Sequence, residues 1–247
     1  MKHWKTILVA AQAAWVLLST TLVTAAVWGS PRMRAVLGMG WGLIVLWVGV
    51  GGGLMVLNRD RIRVVVQRID AWWPAKFVVF ATALALLEEV VTTTMTNLAP
   101  LFGVKIGEAY ITASTNYFDV VLLHSVVVIA PLFLAWALIL WRYAFSPFAV
   151  YVLFGLTGTL METISGGLQH LLEFCFWIFV YGLMIYLPAY CVPAGRPARV
   201  PRWWQYPLAV VAPLPFIASV MLTPVPFLLR VLFFPHHPNI HFPPITP

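Results

Sequence analysis

Two adjacent carboxylates, Glu88 and Glu89, lie within an apolar stretch that is long enough to cross a membrane. Ionisable side chains are costly inside a bilayer, so they usually face the interior of a helix bundle and mark a functional site. Adjacent carboxylates in a medium of low dielectric also resist double ionisation, which suits one of them to general-base chemistry. The pair therefore predicts proton-transfer or ion-binding chemistry within the membrane, with Glu88 and Glu89 as the candidate catalytic residues.

Further polar side chains fall on the apolar stretches that follow the glutamate pair. They are Asp119, His124, Glu162, His170 and Glu173. With a rise of 1.5 Å per residue, all of these groups lie within roughly 14 Å of the helix ends at the predicted outer face of the membrane. A shared depth on four consecutive helices predicts a single polar layer in the outer half of the bilayer, with Asp119 at its edge.

Local spacing adds detail to this layer. Thr93 lies one turn from Glu89 on the same helical stripe, so it is a candidate supporting residue. His170 and Glu173 are three residues apart and share a face, where the carboxylate can fix the imidazole tautomer, relay a proton or complete a metal site. A purely structural role stays open for three of these groups. His124 could be an interhelical hydrogen-bond partner, Glu162 could cap the turn after its helix, and Glu173 could be a hydrated group at the membrane interface.

These residues need a membrane-spanning scaffold to position them, and the composition of the chain predicts one. Of the 247 residues, 62% are hydrophobic and 9% are charged, whereas soluble domains are about 45–50% apolar and about 25% charged. Lipid must therefore solvate the chain. The net charge of +7 does not indicate a nucleic-acid partner, because the basic residues lie between apolar runs.

Seven apolar runs reach or approach the length of about 20 residues that a spanning helix needs. They cover residues 6–28, 34–57, 77–98, 119–141, 147–165, 168–190 and 207–229. Prolines in the last run remove backbone donors and predict a kinked, broken or re-entrant segment. The predicted fold is an all-α polytopic transmembrane bundle of about seven spans, or six if the last is re-entrant. Residues 1–230 form one transmembrane domain, and the Pro- and His-rich residues 231–247 form an extended tail.

The distribution of basic residues predicts the orientation of the bundle. Most of the 15 Lys and Arg residues lie in the connections on the side of the N-terminus, which predicts a cytoplasmic N-terminus. The first run is longer than the apolar region of a signal peptide, so a retained anchor in the plasma or inner membrane is expected. Residues 61–73 fit either an interfacial helix or an ordinary connector.

The order of the polar residues resembles the CAAX-protease and bacteriocin-processing (Abi) family of intramembrane metalloproteases. That family carries Glu-Glu-x-x-x-Arg, then Phe-x-x-x-His, then, after one intervening helix, His-x-x-x-Asn or Asp. Glu88-Glu89 matches the paired glutamates, His124 resembles the second motif, and His170 resembles the third. The resemblance covers residues 77–190. Three positions depart from the arginine, phenylalanine and Asn/Asp of the family: Thr93, Val120 and Phe174.

The resemblance implies a specific chemistry. Glu88 or Glu89 would activate a water for attack on a peptide carbonyl, while His124 and His170 would bind a divalent metal such as zinc. The substrate would be a membrane-anchored or lipidated peptide. Thr93 lacks the charge of the family's arginine, so the glutamates would lose that electrostatic support.

Two other classes of function fit the same residues. Carboxylates and histidines inside a membrane also form the relays of proton- or ion-coupled transporters. A non-catalytic subunit of a membrane complex is the other alternative, because 12 tryptophans and an extended tail suit docking against membrane protein partners.

Overall fold

A computed structural model of the chain describes residues 3–224 and residue 228, with the side chains of all of these except residues 123, 124 and 221. Its helices, numbered here in chain order, are α1 His3–Ala26, α2 Pro31–Arg68, α3 Trp73–Asn97, α4 Tyr117–Arg142, α5 Pro147–Gly166, α6 Phe174–Cys191, α7 Gln205–Val211 and α8 Leu214–Met221. The predicted tail, residues 231–247, lies outside the described residues.

The predicted all-α transmembrane bundle is confirmed. Within the described part of the chain, six helices, α1–α6, are long and apolar enough to cross a membrane. The described part of the last apolar run instead forms α7 and α8, of 7 and 8 residues, separated at Pro213. The described part of this run is therefore broken into two short helices, as its prolines predict, and the rest of the run, residues 225–227 and 229, lies outside the described residues.

Helix starts and helix ends follow local sequence signals. Ser30 and Ser146 accept hydrogen bonds from the first turns of α2 and α5 through their hydroxyl oxygens, and a proline follows each of them, as is favoured at helix N-termini. Helix α2 continues to Arg68, so residues 61–73 do not form a separate interfacial helix. Helix α6 begins at Phe174, six residues after the start of the predicted run, because residues 168–171 form a 3₁₀ turn.

Helix α6 is the centre of the bundle and packs against α1, α2, α3 and α5. Its contact with α5 is close because glycines face the opposing helix. A Cβ at Gly155 would lie 2.5 Å from Ile178 Cα, and a Cβ at Gly182 would lie 2.5 Å from the Tyr151 ring. Small residues of this kind let helix backbones approach one another in membranes, where lipid is as apolar as the side chains.

Polar contacts of Arg196 and Tyr190 link separate segments at the end of the bundle that holds the N-terminus. Arg196 donates to the carbonyl oxygens of Leu140, Pro193 and Tyr143 over 2.9–3.4 Å. The Tyr190 hydroxyl donates to Asp60 over 2.6 Å. The glutamates, by contrast, lie towards the opposite end, so the two polar regions are separated by the aromatic core around Trp47, Trp136, Phe133 and Phe154.

Candidate carboxylate site

Glu89 is held by three hydroxyl groups from three different segments. Thr92 Oγ1, one turn along α3, and Thr112 Oγ1, in the connection between α3 and α4, each donate to Oε2 over 3.1 Å. Ser125 Oγ, on α4, donates to Oε1 over 2.7 Å. Hydrogen bonds of this kind stabilise a carboxylate and fix its orientation. The Glu89 side chain is only 3% exposed, so these donors replace the water it would otherwise bind.

Glu88, Glu89 and Glu162 line one cavity inside the bundle. The cavity has a volume of about 140 Å³, and its polar wall also includes Thr92, Thr112 and Tyr181. The Tyr181 hydroxyl donates a hydrogen bond to Glu162 Oε1. No Lys, Arg or His is found among the described residues that line this cavity. The described wall therefore brings three carboxyl groups together in one cavity.

Glu88 differs from Glu89 in its surroundings. It is 5% exposed and lines the cavity, but its carboxyl group makes no hydrogen bond within the described residues. Among the three carboxyl groups it is therefore the one that is open to a bound water, proton or cation.

The connection between α3 and α4 folds back over the carboxylates. Asn97 Nδ2 donates to the Thr115 carbonyl over 2.8 Å, and the Ile111 amide donates to Thr96 Oγ1 over 3.3 Å. These bonds hold Thr112 and Ala113 inside the bundle, where both are buried. A turn at Gly103, whose φ of 85° favours glycine, returns the chain towards the bundle. The connection thus forms part of the cavity wall.

Two of the predicted supporting residues lie near the cavity without lining it. Asp119, in the first turn of α4, accepts a hydrogen bond from Ser114 Oγ over 3.0 Å and is 3% exposed. An acidic residue is favourable at that position because the helix dipole places partial positive charge there. Thr93 is buried on α3, and its carbonyl oxygen accepts from Asn97 Nδ2 over 2.9 Å.

His170 and Glu173 pair with each other in the connection between α5 and α6. His170 Nδ1 lies 2.7 Å from Glu173 Oε2, which also accepts from Trp177 Nε1 over 3.1 Å. The chain turns at Gly167, with a φ of 108°, and this turn places His170 ahead of α6. Neither His170 nor Glu173 lines the carboxylate cavity, although Trp177 does.

The remaining predicted ligand, His124, belongs to α4 and directly precedes Ser125, but its side chain lies outside the described residues. No group of three or more His, Cys, Asp and Glu side chains in a metal-binding arrangement occurs in the part of the chain that is described. Metal binding by His124 and His170 remains a prediction.

Three residues that donate hydrogen bonds to Glu89 or Glu162 are absent from the sequence-based set. Ser125 is adjacent to His124 in sequence, so inspection of the neighbouring hydroxyls could have found it. Thr112 lies in an irregular connection and Tyr181 lies 19 residues from Glu162, and no periodicity links either of them to the glutamates. Their contribution depends on how the helices pack.

No known protein family, curated protein or solved structure matches this chain.

Proposed function

We propose that this integral, multi-pass membrane protein is an ion-coupled transporter that binds a proton or a small inorganic cation between Glu88, Glu89 and Glu162. The single observation that supports the proposal is the shared cavity that brings these three carboxyl groups together inside the bundle. Carboxylates placed close together in a region of low dielectric cannot all be ionised without a compensating positive charge.

The hydrogen bonds assign different parts to the three groups. Glu89 accepts from three hydroxyl donors, which fix the orientation of its carboxyl group. Glu162 accepts from Tyr181. Glu88 has no hydrogen-bond partner in the described chain, so it is the group best placed to carry the proton or to contact the cation. Intramembrane carboxylates arranged in this way are typical of proton and ion pathways.

The size of the cavity favours a small occupant. Its volume of about 140 Å³ is close to that of an engineered protein cavity of about 150 Å³ that binds benzene. A cation with a few waters fits this space, whereas an extended peptide segment does not fit it in this conformation. The cavity therefore supports ion binding more directly than it supports peptide hydrolysis.

Metal-dependent hydrolysis is the second candidate, and one observation favours it. The Glu88 carboxyl group faces a space large enough for water, as a general base requires. The resemblance to the CAAX-protease and Abi family would add a divalent metal, zinc, and a membrane-anchored peptide substrate. The same cavity carries both proposals, so metal content and chelation distinguish them.

Infrared spectroscopy of the purified protein in lipid nanodiscs tests the proposal. We expect a band from a buried protonated carboxyl group that changes when Na⁺, K⁺ or Ca²⁺ is added, and we expect Glu88→Gln to remove the response. Glu173→Gln is the matched control, because that carboxyl group lies outside the cavity. A response that persists unchanged in Glu88→Gln would contradict the proposal.

A second variant fills the cavity without changing its charge. A Cβ at Gly40, which lines the cavity, meets no atom within 4 Å, so Gly40→Val should fit and should weaken cation binding by about tenfold, equivalent to about 1.4 kcal/mol. Gly49→Val, on the exposed side of the same helix, is the control.

Three results would favour hydrolysis instead. They are zinc bound to the wild type, cleavage of a lipidated peptide that stops on chelation, and loss of zinc in His170→Ala.

A further inference from the structure

A second cavity, here called the apolar groove, lies between α1, α2, α5 and α6 and shares no residue with the carboxylate cavity. Its volume is about 380 Å³, and most of its wall consists of apolar side chains, including Val9, Val48, Val56, Phe148, Phe179 and Leu183. Three of the four helices that form it expose other large apolar side chains beside it, including Leu8 on α1, Leu54 on α2 and Phe174 on α6. The groove therefore opens towards lipid.

The groove has the length of an acyl chain within one leaflet. From Val48 to Val56 it follows α2 for roughly 12 Å at 1.5 Å per residue, and the hydrocarbon region of one leaflet is about 15 Å deep. Gly53 contributes open space, because a Cβ at this residue would meet no atom within 4 Å. An aliphatic side chain at this position would occupy the groove instead.

Two cationic side chains lie at the end of the groove that is nearest the N-terminus. Arg59 Nη1 donates to the hydroxyl of Tyr186, a residue of the groove wall, over 3.4 Å. Lys5 Nζ lies 5.4 Å from the centroid of the Phe148 ring, and no carboxylate pairs with Lys5 in the described chain. Arg59 Nε lies 3.9 Å from Asp60 Oδ2, and the guanidinium carbon lies 5.5 Å from the centroid of the Tyr190 ring. The Arg59 side chain is 42% exposed, so part of the guanidinium is accessible to a lipid headgroup.

We propose that the apolar groove binds one acyl chain of an anionic glycerophospholipid, whose phosphate binds at the end of the groove where Arg59 and Lys5 lie. The apolar wall removes the chain from contact with bulk lipid, while the guanidinium offers paired N–H donors that match phosphate oxygens. Basic residues at a membrane surface also attract anionic headgroups. This site is independent of the carboxylate cavity and of any ion that binds there.

Native mass spectrometry of the full chain, titrated with dioleoylphosphatidylglycerol or dioleoylphosphatidylcholine, measures this binding. The wild type should bind the anionic lipid about tenfold more tightly than the zwitterionic lipid. The double variant Lys5→Gln/Arg59→Gln should lose this preference. The control Arg61→Gln/Arg68→Gln removes the same charge at the same end of the bundle from two exposed residues and should retain the preference.

Filling the groove tests the acyl-chain part of the proposal. Gly53→Leu should weaken binding of both lipids by about tenfold. The control Gly29→Leu, at an exposed residue between α1 and α2 where a Cβ meets no atom within 4 Å, should leave both affinities within about twofold. Equal affinity of the wild type for the two lipids would overturn the proposal. Unchanged binding in a folded Gly53→Leu variant would overturn it as well. If Gly53→Leu does not fold, the two charge variants test the proposal: Lys5→Gln/Arg59→Gln must lose the preference for the anionic lipid and Arg61→Gln/Arg68→Gln must keep it.

Discussion

Gly158 is the residue at which a single methyl group should disturb the carboxylate site most. An ideal Cβ at Gly158 would lie 2.1 Å from Cδ2 and 2.3 Å from Cγ of the Tyr181 ring, whereas an ordinary contact begins at 3.4 Å. In Gly158→Ala the ring and α5 must therefore separate by the difference, about 1.3 Å. Tyr181 donates to Glu162, so a shift of the ring also disturbs the cavity wall.

The expected cost is the balance of three contributions. Overpacking a close contact costs about 1–3 kcal/mol, and loss of a hydrogen bond to a charged group costs about 1.5–3 kcal/mol. Replacing a helical glycine by alanine returns up to about 1 kcal/mol. We therefore expect Gly158→Ala to lower the free energy of unfolding by about 1.5–5 kcal/mol.

Equilibrium unfolding in mixed detergent micelles, followed by tryptophan fluorescence, measures this change. Gly40→Ala and Gly53→Ala are matched controls, because a Cβ at either position meets no atom within 4 Å; both should be as stable as the wild type or slightly more stable. In a Tyr181→Ala background the clash is absent, so Gly158→Ala should then cost less than about 0.5 kcal/mol.

Two results would refute this reasoning. One is a Gly158→Ala variant that is as stable as Gly53→Ala, since the close contact would then have no energetic consequence. The other is a penalty that persists in the Tyr181→Ala background, because the ring would then not be its cause.

Two further predictions concern hydrogen bonds at opposite ends of the bundle. Ser125→Ala removes the 2.7 Å donor to Glu89 and should lower the free energy of unfolding by about 1–3 kcal/mol, whereas Ser165→Ala, whose exposed hydroxyl bonds only to carbonyls of its own helix, should change it by less than about 0.5 kcal/mol. Arg196→Gln removes donors to three carbonyl oxygens and should lower the free energy of unfolding by about 2–4 kcal/mol in the same assay. Arg202→Gln is the control, and equal stability of the two arginine variants would contradict the prediction.

The transmembrane class of the protein and the number of long helices follow from the sequence because they depend on composition along the chain. A run of about 20 apolar residues needs a bilayer whatever its neighbours are. Two boundaries were harder to predict. The run at 168–190 begins with a 3₁₀ turn rather than a helix, and α2 continues through basic residues to Arg68, because local turns and charged helix ends leave hydropathy almost unchanged.

The sequence by itself predicted that Glu88, Glu89 and Glu162 all lie in the outer half of the bilayer, because depth is set by the number of residues from a helix end. Only the tertiary structure decided which groups face one another. It brought Glu162 to the glutamate pair and added hydroxyls from Thr112 and Ser125. Depth along a helix is a local property, whereas the direction of each helix face and the path of each connection depend on packing against the rest of the bundle.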